Sequence, residues 1–277
     1  MQQHSDRQLA EDWWRTRIIR MQPDQIEFHG HPIESLIGQL SFTGMIWLML
    51  RGEQPTAVQE ALLSAALMAG VDHGPQAPSI AIARMAITCG VGINNAMASA
   101  ANVLGDVHGG AGEQCLEFYD SIQASLAESG NLNESIDQQL QQFFASGKKF
   151  VPGFGHRFHR QDPRVKPLMS LLDEAEATGE VKLGYAAIAR GVQEALTAQK
   201  KRPITMNVDG ATAAIYGALG FEPALCRGLF VLSRSVGILA HANEQRLQGE
   251  RNKGPIPKGW LWTYDGKPSQ RNEDSSD

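Results

Sequence analysis

The sequence predicts an all-α protein, on three observations. Between residues 39 and 249, one segment after another repeats its apolar side chains at the helical period. These segments tend to open on Ser, Asn or Pro and to close on Gly, the residues that start and stop helices. No alternating apolar–polar run bounded by turn residues is convincing as a strand. At 277 residues the chain can bury a large core, and helical chains of this size often split into two lobes.

Taken in order, residues 5–20 are polar with apolar punctuation and begin a helix or an arm. IEFHGHPIESL (26–36) is a short extended or turn segment, after which Pro32 starts a helix that Glu34 favours by its charge. QLSFTGMIWLMLR (39–51) is strongly apolar and stops at Gly52. PTAVQEALLSAALMAG (55–70) has Pro55 near its start and a closing Gly70. SIAIARMAITCG (79–90) and NNAMASAANVLG (94–105) open on Ser79 and Asn94, and their small residues suit close helix packing. Six further helical segments occupy 115–130, 133–147, 162–179, 184–199, 210–220 and 223–249. The last residues, DGKPSQRNEDSSD (265–277), are polar and charged and read as a disordered tail.

Composition narrows the function classes. Net charge is −5 and the pI about 5.9. No basic block points to nucleic acid or to anionic lipid. Cys89, Cys115 and Cys226 are odd in number, far apart and in apolar surroundings, as buried free thiols of a reducing compartment would be. No CxxC, HExxH or zinc-spaced ligand set suggests a metal. MQQHSDRQLAEDWW lacks an apolar signal core, and no apolar run is long enough to span a bilayer, so a cytoplasmic enzyme is expected. No Walker or dinucleotide glycine motif follows a strand.

Four polar, mostly glycine-bearing breaks interrupt the helical pattern. They are VDHGPQAPS (71–79) with His73, GDVHGGAGE (105–113) with His108, VPGFGHRFHRQDPR (151–164) with His156, and NVDGATAA (207–214) with Asp209. Imidazole is the side chain that titrates nearest neutrality, and loops on a rigid scaffold commonly carry catalytic groups. Three histidines and an aspartate at helix ends suit the movement of protons on and off carbon. Singly, a glycine-flanked histidine is more often a cap or a satisfied core group, and His29, His31, His159 and His241 are read as surface or packing residues.

The order and wording of these breaks resemble the citrate synthase superfamily over roughly residues 26–255. GHPIESL (30–36) and LMLRGEQPT (48–56) resemble its opening motif, and LFVLSRSVGILAH (229–241) resembles its late helix. DHGP, NVDG, FVLSRSVG and the short N-terminal portion are more similar to citryl-CoA lyase and to the C-terminal module of ATP-citrate lyase. The resemblance implies a two-lobed helical homodimer, with a large lobe of residues 1–110 and 220–277 and a small lobe of 111–219. It implies an acetyl-CoA or other CoA thioester and a 2-oxo acid as substrates or products.

The resemblance also implies roles. Asp209 would take or return the methyl proton, and a neutral His108 would bond the enol oxygen. His156 would serve the carbonyl or tertiary hydroxyl. His73, Arg164, Arg234 and Phe230 would surround the oxo acid, the arginines as bidentate partners of carboxylates. The backbone of Val151, Pro152, Gly153, Phe154 and Gly155 would recognise the CoA adenine, with Arg160 on a phosphate. The sequence departs from the family in GERNKGPIPKG (249–259), where Gly254 stands in place of a substrate arginine. Three activities stay open: a CoA-ester carbon–carbon lyase, a synthase that also hydrolyses the thioester, and a CoA-binding protein without catalysis.

Overall fold

A computed structural model describes residues 2–156, 159–200 and 203–267. The expected disordered tail therefore lies mostly outside the described residues. Twelve helices fill the described chain: α1 (Gln2–Trp13), α2 (Ile33–Leu36), α3 (Phe42–Arg51), α4 (Ala57–Gly70), α5 (Pro78–Thr88), α6 (Ile93–Ala101), α7 (Ala111–Ser129), α8 (Leu132–Ala145), α9 (Val165–Thr178), α10 (Tyr185–Lys200), α11 (Val208–Ala218) and α12 (Pro223–Gln248). The all-α expectation holds.

One small sheet corrects the strand reading. β1 (Ile19–Gln22), β2 (Gln25–Phe28) and β3 (His31–Pro32) pair antiparallel in that order. Its strands are too short to establish a period of two in sequence. The turns decide the pairing: Asp24 has φ 61°, and His29 and Gly30 have φ 47° and 86°.

Helix ends follow local chemistry. Thr56 and Gln59 form a reciprocal capping box on α4. Asn131 caps α8, and Gly52, Gly130 and Gly179 close α3, α7 and α9 in the left-handed conformation. Ser79 and Asn94 do not start their helices. Ala77 precedes Pro78 at the first position of α5, and Gly92 precedes α6.

Contacts divide the chain into two compact units, Met1–His73 with Val103–Gly237, and Gly74–Asn102 with Ile238–Asp277. In the first unit α11 is the central helix. Every residue from Gly210 to Ala218 is buried. It packs on α4, α7, α9 and α10, as expected for a helix apolar on all sides. Its small residues permit this approach: a Cβ on Gly217 would stand 2.2 Å from a ring carbon of Tyr185. Trp47, Leu63, Leu116, Ile122, Leu172 and Ile188 extend the same core. The expected small lobe, 111–219, lies wholly within this unit.

The second unit packs α5 on α6 through Ala77, Ile80, Ala83, Ala96 and Ala100, joined by Ile238 and Ala242. Arg84 there bonds the His241 ring, Glu244 and Gln248. Cys115 and Cys226 are buried as expected, but Cys89 is exposed, because it caps the end of α5 where the packed face has run out. By length and composition α12 could cross a bilayer, with mean hydropathy 1.3 over its most apolar stretch. This corrects the expectation that no run is long enough. The same pattern is met by core helices of globular domains, and α12 carries the buried Arg234.

Candidate active site

Three backbone carbonyls in the last turn of α4 organise the site. A helix C-terminus leaves its last carbonyls without helical partners. Here the Ser233 hydroxyl donates to Leu67 O, Arg164 Nη1 donates to Ala69 O at 3.2 Å, and Arg234 Nε donates to Gly70 O at 3.1 Å. Both arginines are thus aimed by the same helix end, whose partial negative charge favours cations. The Arg234 guanidinium also lies 4.9 Å from the Phe230 ring centroid. A Cβ on Gly70 would come 2.7 Å from Ser233 Oγ, so glycine is what lets α12 lie this close.

Asp209 sits in the first turn of α11. Burial raises its pKa, against the opposing pull of Arg164 and Arg234. It lines a cavity of about 20 Å³ with Gly70, Gly109, Glu113, Thr212 and Phe230, among others. Sequence reasoning passed over Asn207, which ties this turn down. Its side-chain oxygen accepts from the amides of Asp209 and Gly210 at 2.9 and 3.3 Å. Its Nδ2 donates to Gly155 O at 2.8 Å, and its own amide donates to Gly153 O at 2.9 Å. Asn207 therefore couples the helix that bears Asp209 to the glycine loop. The signal was present, since Asn is a preferred N-cap residue.

Asp162 is the second omission. Its buried carboxylate takes Arg164 Nε and Nη2 at 2.9 and 2.8 Å, and the Val208 amide at 3.0 Å. Burial works to raise its pKa, but the bonds from Arg164 and Val208 outweigh it and hold it at about 2. One carboxylate thus fixes both Arg164 and the start of α11.

His73 and His156 come together, with ring centroids 5.4 Å apart. His159, read from sequence as a surface residue, stacks on His156 at 4.5 Å, and its amide donates to His156 Nδ1 at 3.1 Å. The His156 pKa is lowered by burial first, then by His159, with Asp162 opposing and His73 and Arg164 adding.

His108 occupies a tight turn closed by Gly105 N donating to His108 O at 2.9 Å. Its neighbour Gly109 lines the Asp209 cavity, and a Cβ there would stand 3.1 Å from Phe230. The turn is clasped from α12 by Arg227, which pairs with Asp106 at 2.7 Å and also with Glu113.

The loop Val151–Gly155 is bonded along its length. Gly155 N donates to Thr205 O at 2.7 Å, and Phe154 bridges Met206. A Cβ on Gly153, which has φ 84°, would stand 2.7 Å from Gly210 Cα. Val151, Phe154, Gly155, His156, His159 and the exposed Arg160 line an open cavity of about 1300 Å³, which Lys149, Phe150 and Lys200 extend. Pro152 and Gly153 support the loop without lining that cavity. No three His, Cys, Asp or Glu side chains among the described residues are arranged to hold a metal.

The first unit thus holds a half-buried carboxylate at a helix start, two arginines fixed on one helix end and a glycine loop beside a large cavity. Residues 15–256 match the family described as citrate synthase, C-terminal domain, and the chain belongs to the citrate synthase family. It is 31% identical over 199 residues to citrate synthase 2 of Bacillus subtilis, covering 71% of this chain and 50% of that protein. It is 26% identical over 241 residues to the citrate synthase of Acidithiobacillus ferridurans, covering 83% and 59%. The chain spans about half the length of the curated relatives it matches.

Among solved structures it resembles citryl-CoA lyase from Hydrogenobacter thermophilus, with TM-score 0.80, 30% identity, and coverage of 93% of this chain and 96% of that one. ATP citrate lyase from Methanothrix soehngenii, in complex with citrate and coenzyme A, shares the fold at TM-score 0.75 and 21% identity, covering 98% of this chain and 45% of that one.

Proposed function

We propose that this chain is a citryl-CoA lyase-like enzyme that cleaves, and in reverse forms, the bond between an acetyl-CoA methyl carbon and a 2-oxo acid carbonyl carbon. The observation that carries this is Asp209, a carboxylate of raised pKa beside two arginines fixed on the end of α4. The likeness to a citryl-CoA lyase over nearly the whole of both chains supports the direction.

In cleavage, His156 accepts the proton of the tertiary hydroxyl as that oxygen becomes a carbonyl. The carbon–carbon bond breaks toward the thioester, whose oxygen is bonded by a neutral His108. Asp209, protonated at the start, gives its proton to the enol carbon to complete the methyl group. Condensation runs the same steps in reverse. Arg164 and Arg234 hold substrate carboxylates, His73 a further carboxylate or hydroxyl, and Phe230 packs beside the reacting carbons. The thioester reaches in from the glycine loop, with Arg160 on a CoA phosphate. Gly155, which lines the large cavity, fits that role, because a bare backbone allows close approach.

The lobe division at 111 and 219, closure of the small lobe over the thioester, a cytoplasmic location and a homodimer belong to the same reading. The exposed Leu232, Val236 and Leu239, spaced along one face of α12, support the dimer. A citrate synthase-type condensation is the second reading, favoured by the curated relatives. The deciding assay incubates the protein with acetyl-CoA and a panel of 2-oxo acids, and with citryl-CoA, following acyl-CoA and free thiol together. Cleavage of citryl-CoA to acetyl-CoA without thiol release is expected. Free thiol in step with condensation would establish the synthase, and inertness toward all substrates would leave only CoA binding.

A further inference from the structure

Two imidazoles lie against His156 within the first unit. His73 follows α4, and His159 lies three residues beyond His156 in the same loop. The His159 contact has two components. Its amide N–H donates to Nδ1 of His156, so that nitrogen presents a lone pair and the proton of the neutral ring sits on Nε2. Its ring stacks at 4.5 Å with a 43° tilt and is exposed on the cavity side.

Adding a proton to His156 at Nδ1 would turn an acceptor into a donor facing the amide that it now accepts. If His159 is already protonated, it would also set two cations side by side. Among the described residues, Asp162 and Arg164, at the start of α9, are further charged groups acting on His156. They are paired to each other, and of the two Asp162, which favours the protonated ring, acts on His156 more strongly than Arg164.

We propose that His159 is a positioning residue for His156, holding it as a neutral imidazole with its proton on Nε2. This rests on the role given to His156 above. In cleavage the hydroxyl proton has to displace the His159 amide, and the imidazolium so formed is strained by its neighbour. It therefore gives its proton up readily, either to the oxo-acid carbonyl in condensation or to solvent between turnovers.

The test uses the full-length protein with isotopically labelled histidine, with His159→Phe to keep the stack without the charge. His159→Pro is a second variant that removes the amide donor to His156 Nδ1. NMR titration follows the His156 ring, and the pH profile of kcat for citryl-CoA cleavage is measured beside it. His156 should titrate higher by on the order of half to one pH unit in both variants. The acid limb of kcat should rise with it while KM is little changed. An unchanged His156 titration in the variants overturns the proposal. A His156 titration that moves while the acid limb stays put supports the His159 coupling and refutes the catalytic role of His156.

Discussion

Asp162→Asn isolates the contact that holds Arg164 and the start of α11 together. The carboxylate accepts two bonds from the Arg164 side chain, one from the Arg164 amide and one from the Val208 amide. Its pKa falls from 3.8 to about 2 on folding, and at ~1.4 kcal/mol per pH unit this is worth roughly 2 kcal/mol at neutral pH. Removing one partner of a fully buried ion pair costs about 3–5 kcal/mol. The Asp162 side chain has no exposure, but that of Arg164 retains 24%, so the lower end applies.

We expect Asp162→Asn to lose about 2–3 kcal/mol of unfolding free energy at neutral pH, measured by urea denaturation. The sign of the pH dependence follows from a depressed carboxylate. Its stabilisation is complete above the unfolded value near 4 and disappears as pH falls through about 2. The gap between the two proteins should therefore be constant from neutral pH to about 5 and close below about 4. A gap under about 0.5 kcal/mol, or one equally large in acid, would refute the assignment of Asp162 as the ionised clamp.

Three further outcomes are expected. Asp209→Asn should keep CoA binding, measured by calorimetry, yet lose several orders of magnitude in turnover and in exchange of the acetyl methyl protons. Because burial raises the Asp209 pKa, stability is lost as pH rises from the unfolded value of about 4 to the folded one, so this variant should unfold at higher urea than wild type at neutral pH. His108→Ala and His156→Ala should each abolish most turnover, with a double variant far less damaged than the product of the two, as steady-state kinetics would show for groups serving one transition state. Gly254 supplies no cation and Lys253 pairs with Glu250, so kcat/KM in condensation should be higher for a 2-oxo acid with fewer carboxylates than oxaloacetate. A clear preference for oxaloacetate would overturn this and point to Arg251 or Lys253.

The sequence by itself determined the helices and the family. Apolar periods and closing glycines are local features, and each helix from α3 to α12 was legible for that reason. The breaks that carry His73, His108, His156 and Asp209 were legible too, because glycine and polar residues cannot continue an apolar helix. The hairpin at 19–32 was not, since four-residue strands give no period and positive φ at Asp24 and His29 has to be seen. Nor were Asp162, His159 and Arg227, whose partners lie close by only after folding, whereas Asn207 carried a capping signal that was passed over. Sequence lists the arginines. Only tertiary structure puts Arg164 and Arg234 on neighbouring carbonyls of one helix end, because helix termini find their missing partners across the chain rather than along it.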